Sequence, residues 1–127
     1  FPRFFSSIKD GKPITIFRKG KQTRTFCYVT DAITAMFTVI LAGKDFVYNI
    51  GNNKPELNMN KLHKNMQIAL RRKIKSVNIS YPKNYPQVEP QRRCPDISKL
   101  TKEFNYKNKI NIVDAIRRYH AWSSRYY

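Results

Sequence analysis

Acidic side chains are scarce in this sequence. Its 127 residues hold 8 Asp and Glu against 25 Lys and Arg, which gives a formal net charge of +17 at pH 7. A field of this strength attracts anions, whether nucleotides, RNA or anionic lipid. A coding bias that scatters lysines over a solvated surface accounts for the charge equally well. An acidic partner domain that lies outside this sequence is a third explanation.

Glycine is also scarce, and its four positions (11, 20, 43 and 51) exclude a G-x-G-x-x-G phosphate loop. No tyrosine is followed four residues later by lysine, so a common proton-transfer pair of reductases is missing. The acidic residues do not cluster, and the sequence has no local signature of a Ser-His-Asp or Cys-His pair. The sequence therefore predicts no catalytic and no cofactor-binding residue in this chain.

Cysteine and long apolar runs are equally limited. Cys27 and Cys94 form no C-x-x-C pair, and His63 and His120 have no Cys or His neighbour at metal-ligand spacing. We therefore predict no metal site and two buried, reduced thiols, which favours a cytoplasmic location. The longest apolar helix candidate, residues 32–42, is shorter than the roughly 20 residues of a membrane span, and no secretory signal is present.

Hydrophobic periodicity predicts a mixed α/β fold in one domain over residues 1–127. Strands 13–17 and 23–29 are predicted to pair as a hairpin. The Pro-rich stretch 82–95 has no helical period and is expected to be a functional or disordered loop. The predicted elements, in order, are helix 2–11, strands 13–17 and 23–29, helix 32–41, strand 46–50, helix 59–72, strand 76–81, and helices 97–104 and 112–122.

Short polar side chains precede the predicted helices at positions that favour capping. We expect caps from Asn58, Asp96 and Asn111, and from Thr30 or Asp31 at the helix that follows. That helix carries Ile33, Met36, Phe37 and Ile40 on one face. The strands are too few for a complete doubly wound domain.

Two arginine-bearing segments are candidates for anion binding. Gln22 and Arg24 lie at the start of the second predicted strand, and Arg93 follows Gln91 at the end of the Pro-rich loop. A guanidinium fork binds phosphate through charge-assisted hydrogen bonds, and two arginines from distant segments can converge on one diphosphate. For each motif alone, an exposed arginine on a turn is the simpler interpretation.

A series of motifs resembles the extended short-chain dehydrogenase/reductases. Residues 12–17 and 20–31 resemble their G-x-P-I-T-V-Y-G-D-G-x-Q-T-R-S-F-C-Y-V-D-D block. Residues 48–52 look like Y-N-I-G-N, residues 89–99 are similar to D-P-x-x-R-x-P-D-I-S-K-A, and residues 104–106 match L-G-W/Y. The resemblance runs from about Pro2 to Trp122 and is best to nucleotide-sugar epimerases, dehydratases and UDP-glucuronate decarboxylases.

The resemblance implies that this chain is the carboxyl-terminal, substrate-binding lobe of such an enzyme, with a sugar-nucleotide, expected to be a UDP-sugar, as ligand. Arg24 would contact the phosphate or ribose with Gln22 nearby, Arg93 would bind the diphosphate, and Arg3 would lie near the base. A missing amino-terminal Rossmann half would supply NAD binding and catalysis, so the chain alone would be inactive. Residues 46–50 would be the edge strand of that sheet, and a homodimer is an open expectation.

The sequence also departs from the family pattern. Arg18, Lys19 and Gly20 replace the G-D-G turn, which removes one glycine and the acid. Together with the net charge, this departure keeps two other interpretations open. The chain is then either a basic binding module or accessory subunit that contacts RNA or a large assembly, or a structural fragment without ligand whose apolar faces are exposed.

Overall fold

The computed structural model of the chain describes residues 2–83 and 90–126, and in these ranges it confirms a mixed α/β fold. Residues 84–89 of the predicted loop lie outside the described residues. The helices are α1 (Pro2–Lys9), α2 (Val29–Ala42), α3 (Met59–Leu70), α4 (Ser98–Phe104) and α5 (Ile112–Tyr126). The strands are β1 (Ile14–Phe17), β2 (Thr23–Arg24), β3 (Leu57–Asn58), β4 (Ser76–Ile79) and β5 (Arg92–Arg93).

The predicted hairpin is wrong, because β1 and β2 belong to different sheets. β1 pairs in parallel with β4, whereas β2 lies between β3, which is antiparallel to it, and β5, which is parallel. The turn after β1 redirects the chain through two left-handed residues, Arg18 (φ 51°) and Gly20 (φ 64°). The Gly20 carbonyl then accepts a 3.1 Å hydrogen bond from the Met59 amide, which holds β2 beside β3.

The larger hydrophobic core lies between β1 and helices α1, α3 and α5. Ile14 and Ile16 of β1 are 0% and 2% exposed, so the face of the strand that they share is fully covered. The ring of Phe5 on α1 stacks against Tyr119 of α5 at 4.7 Å between centroids. The apolar periodicity of α3, which buries Leu62 and Met66 on one face, is confirmed.

A smaller core joins α2 to α4, and there the predicted role of Asp31 is wrong. Asp31 lies inside α2 and is 6% exposed, so it is not the residue that caps the helix. Its carboxylate accepts hydrogen bonds from the backbone amides of Lys109 and Ile110, at 3.1 and 3.0 Å. The hydroxyl of Tyr106 donates to the Asp31 carbonyl. Asp31 thus joins α2 to the segment between α4 and α5.

The caps predicted at Asn58 and Asn111 are confirmed, whereas Thr30, the alternative to Asp31, lies inside α2. The Asn58 side chain accepts from the Lys61 amide at 2.8 Å, and the Asn111 side chain accepts from the Asp114 amide at 2.9 Å. The cap predicted at Asp96 is wrong by one residue, because α4 begins at Ser98 and Ile97 is its cap residue; the Asp96 side chain still accepts from the Ser98 amide at 2.9 Å. Short polar side chains satisfy the free amides of a helix start, and this local need is visible in sequence.

Residues 46–50 form no strand, in contrast to the prediction. A strand requires a hydrogen-bonding neighbour, and the described residues supply none along this segment. The segment is instead tied to α4. The Tyr48 hydroxyl donates to Glu103 at 2.7 Å, and the Lys99 ammonium forms an ion pair with Asp45 and lies 4.6 Å from the Tyr48 ring centroid.

The apolar face of α2 is turned away from both cores. Phe37 and Ile40 are 60% and 74% exposed, and the neighbouring Phe46 is fully exposed. The face predicted from the spacing is therefore present but uncovered by the described residues. We call it the α2 apolar face; it consists of Val29, Ile33, Met36, Phe37, Ile40, Leu41, Phe46 and Val47.

Cys27 and Cys94 are free thiols, but each is half-buried and not fully buried as predicted. Burial raises the pKa of the Cys27 thiol, even though Asn108 donates a hydrogen bond to its sulfur and opposes the shift. Within residues 2–83 and 90–126, no helix is long and apolar enough to cross a membrane.

Candidate functional site

Two of the predicted arginines lie side by side on neighbouring strands. In the parallel pair of β2 and β5, Thr23 is opposite Arg92 and Arg24 is opposite Arg93. Side chains alternate between the two faces of a strand, so Arg24 and Arg93 share one face and Thr23 and Arg92 share the other. Segments almost 70 residues apart in sequence thereby present two guanidinium groups to the same side of the sheet.

Glu56 organises the opposite face of this sheet. Its carboxylate accepts a hydrogen bond from the Thr23 hydroxyl and further bonds from Arg92, whose Nε lies 3.0 Å from each carboxylate oxygen and whose Nη2 lies 2.9 Å from Oε2. The hydrogen bond from Thr23 and the Arg92 guanidinium hold the pKa of Glu56 below its usual value. Arg92 is therefore engaged within the fold, and Glu56 ties together the two strands that carry Arg24 and Arg93.

The two arginines differ in their surroundings. Arg24 is half-buried, and its Nη1 donates a 2.7 Å hydrogen bond to the Thr23 carbonyl, which limits the positions of its guanidinium. Arg93 is exposed. A partly fixed guanidinium beside an accessible one is suited to an anion that bonds to both, because each group presents several N–H donors in a planar fork.

The loop that contains the Y-N-I-G-N-like motif and Asn53 contacts the residues that follow β2 and β5. The Asn52 amide donates to the Phe26 carbonyl at 3.1 Å, just beyond β2, and the Cys94 thiol contacts the Asn53 carbonyl at 3.6 Å, just beyond β5. A Cβ added to Gly51 would come within 2.9 Å of the Pro95 side chain. This motif therefore holds the ends of both arginine-bearing segments against one loop.

The other two predicted site residues, Gln22 and Arg3, lie outside the two strands that carry Arg24 and Arg93. Gln22 directly precedes β2 and is half-buried. Arg3 lies on α1, where its guanidinium stacks over the Phe17 ring at 4.7 Å from the centroid. This contact brings Arg3 to the carboxyl end of β1, but no contact joins it to Arg24 or Arg93 within the described residues.

Arg18 and Tyr81 extend this arrangement and were not among the predicted site residues. The Tyr81 ring lies 4.8 Å from the Phe17 ring, and the Arg18 guanidinium lies 4.9 Å from the centroid of Tyr81. Two cations thus flank a pair of rings at the carboxyl ends of β1 and β4. The sequence signal was the basic replacement of the G-D-G turn, but the tertiary pairing with Tyr81 is not visible in sequence.

Neither a glycine-rich pyrophosphate loop nor a cluster of metal-ligand side chains is present in the described residues. None of the four glycines stands between a strand and the start of a helix, where a pyrophosphate-binding loop requires them. No group of three or more His, Cys, Asp or Glu side chains in the described ranges is arranged to hold a metal ion.

Comparison with known proteins gives a consistent result. Residues 1–51 match the model of the NAD dependent epimerase/dehydratase family. The chain is 32% identical over 108 residues to UDP-glucuronic acid decarboxylase 1 of Arabidopsis thaliana, covering 84% of this chain and 23% of the relative. It is 26% identical over 121 residues to UDP-glucuronate 4-epimerase of Thermodesulfobacterium geofontis, covering 95% of this chain and 36% of the relative.

The chain is related to the NAD-dependent epimerase/dehydratase family. Solved structures agree on the fold. UDP-glucuronic acid 4-epimerase from Bacillus cereus, in complex with UDP-glucuronic acid and NAD, superposes with a TM-score of 0.83 at 23% identity, covering 98% of this chain and 39% of the other. The dTDP-glucose 4,6-dehydratase from Bacillus anthracis, in complex with NAD, gives 0.82 at 19% identity, with the same coverage of 98% and 39%.

The matches cover only part of each relative. The chain spans roughly a third or less of the curated relatives described above. The expected family relationship is thus confirmed, whereas the roles of Arg24, Arg93, Gln22 and Arg3 stay predictions.

Proposed function

We propose that this chain is the nucleotide-sugar-binding portion of an NAD-dependent epimerase, dehydratase or decarboxylase. The observation that carries the proposal is the register pair of Arg24 and Arg93, which offers two guanidinium groups to one diphosphate. Each charge-assisted hydrogen bond to such an anion contributes roughly 1.5–3 kcal/mol net. Because the relatives' names include UDP-glucuronate enzymes, a UDP-sugar is the ligand to test first.

A Rossmann half that binds NAD completes the enzyme in this proposal. The α2 apolar face supports it, since so large an exposed apolar surface usually marks a contact with another part of the protein or with a partner. The fold neighbours also continue well beyond the region that matches this chain. The proton-transfer groups would belong to that half, so the chain by itself is expected to bind weakly and to show no turnover.

Titration with UDP tests the ligand assignment. We expect amide resonances of residues 22–25 and 91–94 to shift in ¹⁵N-NMR spectra, with a weak dissociation constant. Arg93→Gln should weaken UDP binding by roughly ten- to a hundredfold, since about 1.4 kcal/mol corresponds to a factor of ten.

The matched control is Arg125→Gln, which removes one exposed arginine near the end of α5, remote in sequence from both arginine-bearing segments. It should leave the UDP affinity unchanged. Equal losses in the two variants would mean that UDP responds only to net charge, and the diphosphate assignment would then be wrong.

The length of the native polypeptide tests the second half of the proposal. One further domain's worth of chain, carrying a glycine fingerprint and Tyr-x-x-x-Lys, is what an NAD-binding half requires. The intact mass of the native protein, measured by mass spectrometry, should therefore greatly exceed 15.1 kDa. A native mass near that value, with no separate chain that supplies the NAD-binding half, would contradict the enzyme assignment.

A further inference from the structure

A second basic surface lies away from the arginine pair, at the end of α3. Arg71, Arg72 and Lys73 follow the helix in direct succession, and Lys64 lies on its last turns; all four are exposed. Together they line a shallow depression on this side of the chain. No salt bridge within the described part of the chain involves any of them. We call these four residues the α3 basic turn.

The α3 basic turn is held in a fixed conformation. Arg71 adopts a left-handed conformation (φ 50°), which ends α3. Beyond the basic residues, Ile74 is buried, its amide donates to the Gln67 side chain at 3.2 Å, and its carbonyl lies 2.7 Å from Nε2 of His63. Because both ends of the turn are anchored, the cations between them project outward from a rigid base.

An aromatic cavity adjoins this turn. It has a volume of about 750 Å³ and lies between α1 and α5, lined in part by Tyr119, His120 and Trp122. Arg72 lines both this cavity and the basic depression, so the two are adjacent. Lys9 adds a further cation. The acidic group of the cavity is Asp10, which forms an ion pair with Lys12 at 3.2 Å.

This surface is separate from the candidate nucleotide-sugar site. The Ile14 amide donates to the Lys75 carbonyl at 2.9 Å, which places Lys75, the residue after the basic turn and Ile74, at the amino-terminal ends of strands β1 and β4. The Arg18 amide donates to the Ile79 carbonyl at 2.7 Å, which places Arg18 at the opposite ends of these strands. The α3 basic turn and Arg18, which extends the candidate nucleotide-sugar site, therefore lie at opposite ends of this sheet.

We propose that the α3 basic turn and the aromatic cavity bind single-stranded nucleic acid. The four cations would contact successive phosphates, and an unstacked base would enter the cavity and stack on Trp122, which is 47% exposed. A row of cations beside an aromatic platform is the arrangement with which proteins bind single strands. A duplex keeps its bases stacked, and a bilayer surface is too flat to enter a recessed cavity.

The test is fluorescence anisotropy with a fluorescein-labelled 12-nucleotide oligouridylate at several salt concentrations. The triple variant Arg71→Gln/Arg72→Gln/Lys73→Gln should bind at least about tenfold more weakly at 0.1 M salt. Its slope of log K against log salt should be smaller by about 2, because each lost phosphate contact in a single strand contributes roughly 0.7. Trp122→Ala should weaken binding about tenfold and leave the slope unchanged, since it removes stacking and no charge.

The matched control is the triple variant Lys44→Gln/Lys54→Gln/Lys107→Gln, which removes the same charge from exposed positions outside this surface. It should retain most of the affinity for the oligonucleotide. Equal losses of affinity in both triple variants would show that binding depends only on net charge, and this result would overturn the proposal. Tighter binding to phosphatidylserine vesicles than to the oligonucleotide at equal salt, or an unchanged affinity in Trp122→Ala, would overturn it as well.

Discussion

Glu56 shows how one carboxylate organises the candidate site without lying on its binding face. It bonds to Thr23 and Arg92, the residues beside Arg24 and Arg93 on the two strands. The folded-state pKa of Glu56 lies below 4.5, so its contribution to stability is present above that pH. The contribution is lost as the pH falls through the folded-state pKa, because the protonated group no longer pairs with Arg92.

We therefore predict that Glu56→Gln lowers the unfolding temperature at pH 7 and flattens its dependence on pH in the acid range below the usual pKa of a glutamate, relative to the wild type. UDP binding should weaken severalfold, because the neighbouring arginines lose their common support. Thermal unfolding followed by circular dichroism across this pH range provides the measurement.

Asp45→Asn is the control, since the pKa of Asp45 is also lowered, in this case by Lys99 on α4. It should flatten the same part of the pH profile but leave UDP binding unchanged. If Asp45→Asn weakened UDP binding as much as Glu56→Gln does, the effect of Glu56 would not be specific to the arginine-bearing strands.

At the scale of secondary-structure elements, the turn between β1 and β2 determines the course of the sheets. Gly20 has a φ of +64°, and a Cβ at this position would lie 2.7 Å from Ile16 and 3.0 Å from Asn60. Gly11 has a similar φ of +67° but no atom within 4 Å of the added Cβ. A substitution at Gly11 therefore tests backbone strain alone, whereas a substitution at Gly20 tests backbone strain together with steric crowding.

We predict that Gly11→Ala costs about 1 kcal/mol of unfolding free energy, the usual cost of a left-handed alanine. Gly20→Ala should cost roughly 1–3 kcal/mol more, because the added methyl group crowds the buried Ile16 side chain. Urea denaturation of both variants measures the difference. Equal losses would show that the contact with Ile16 relaxes without cost.

Local interactions of these elements could be predicted from sequence, and distant pairings could not. Asn58 and Asn111 cap helices within three residues of themselves, so their role is encoded locally. The pairing of β1 with β4 depends on a strand more than 50 residues away, and no local pattern distinguishes it from a hairpin. Asp31 was mistaken for a cap because its partners, the amides of Lys109 and Ile110, come from a distant segment.

The candidate site could likewise be predicted from sequence only in part. Arg24 and Arg93 could be selected from the motif series, because the residue types and their order are visible in the sequence. Their position opposite each other on parallel strands, and the contact of Arg18 with Tyr81, depend on tertiary packing.

At the scale of the whole molecule, the α2 apolar face should govern the solution behaviour of the isolated chain. Phe37 and Ile40 lie at its centre, one helical turn apart, and both are more than half exposed. We predict that the isolated chain self-associates and that the double variant Phe37→Ser/Ile40→Lys reduces this association at least about tenfold. Removal of apolar surface weakens the driving force, and the added charge opposes contact.

Sedimentation velocity measures this association, and Ile68→Ser is the control. Ile68 is 60% exposed on α3, outside the α2 apolar face, so its replacement should leave the association unchanged. A wild-type chain that stays monomeric at high concentration would contradict the predicted self-association through the α2 apolar face.

The sheet formed by β3, β2 and β5 joins three segments that are far apart along the chain. The paired arginines consequently exist only in the folded protein, since an unfolded chain keeps Arg24 and Arg93 apart. An anion bound between them raises the free energy of unfolding by an amount that grows with its concentration. With the anion binding proposed above, the concentration of phosphorylated solutes would help to determine how much of the protein is folded.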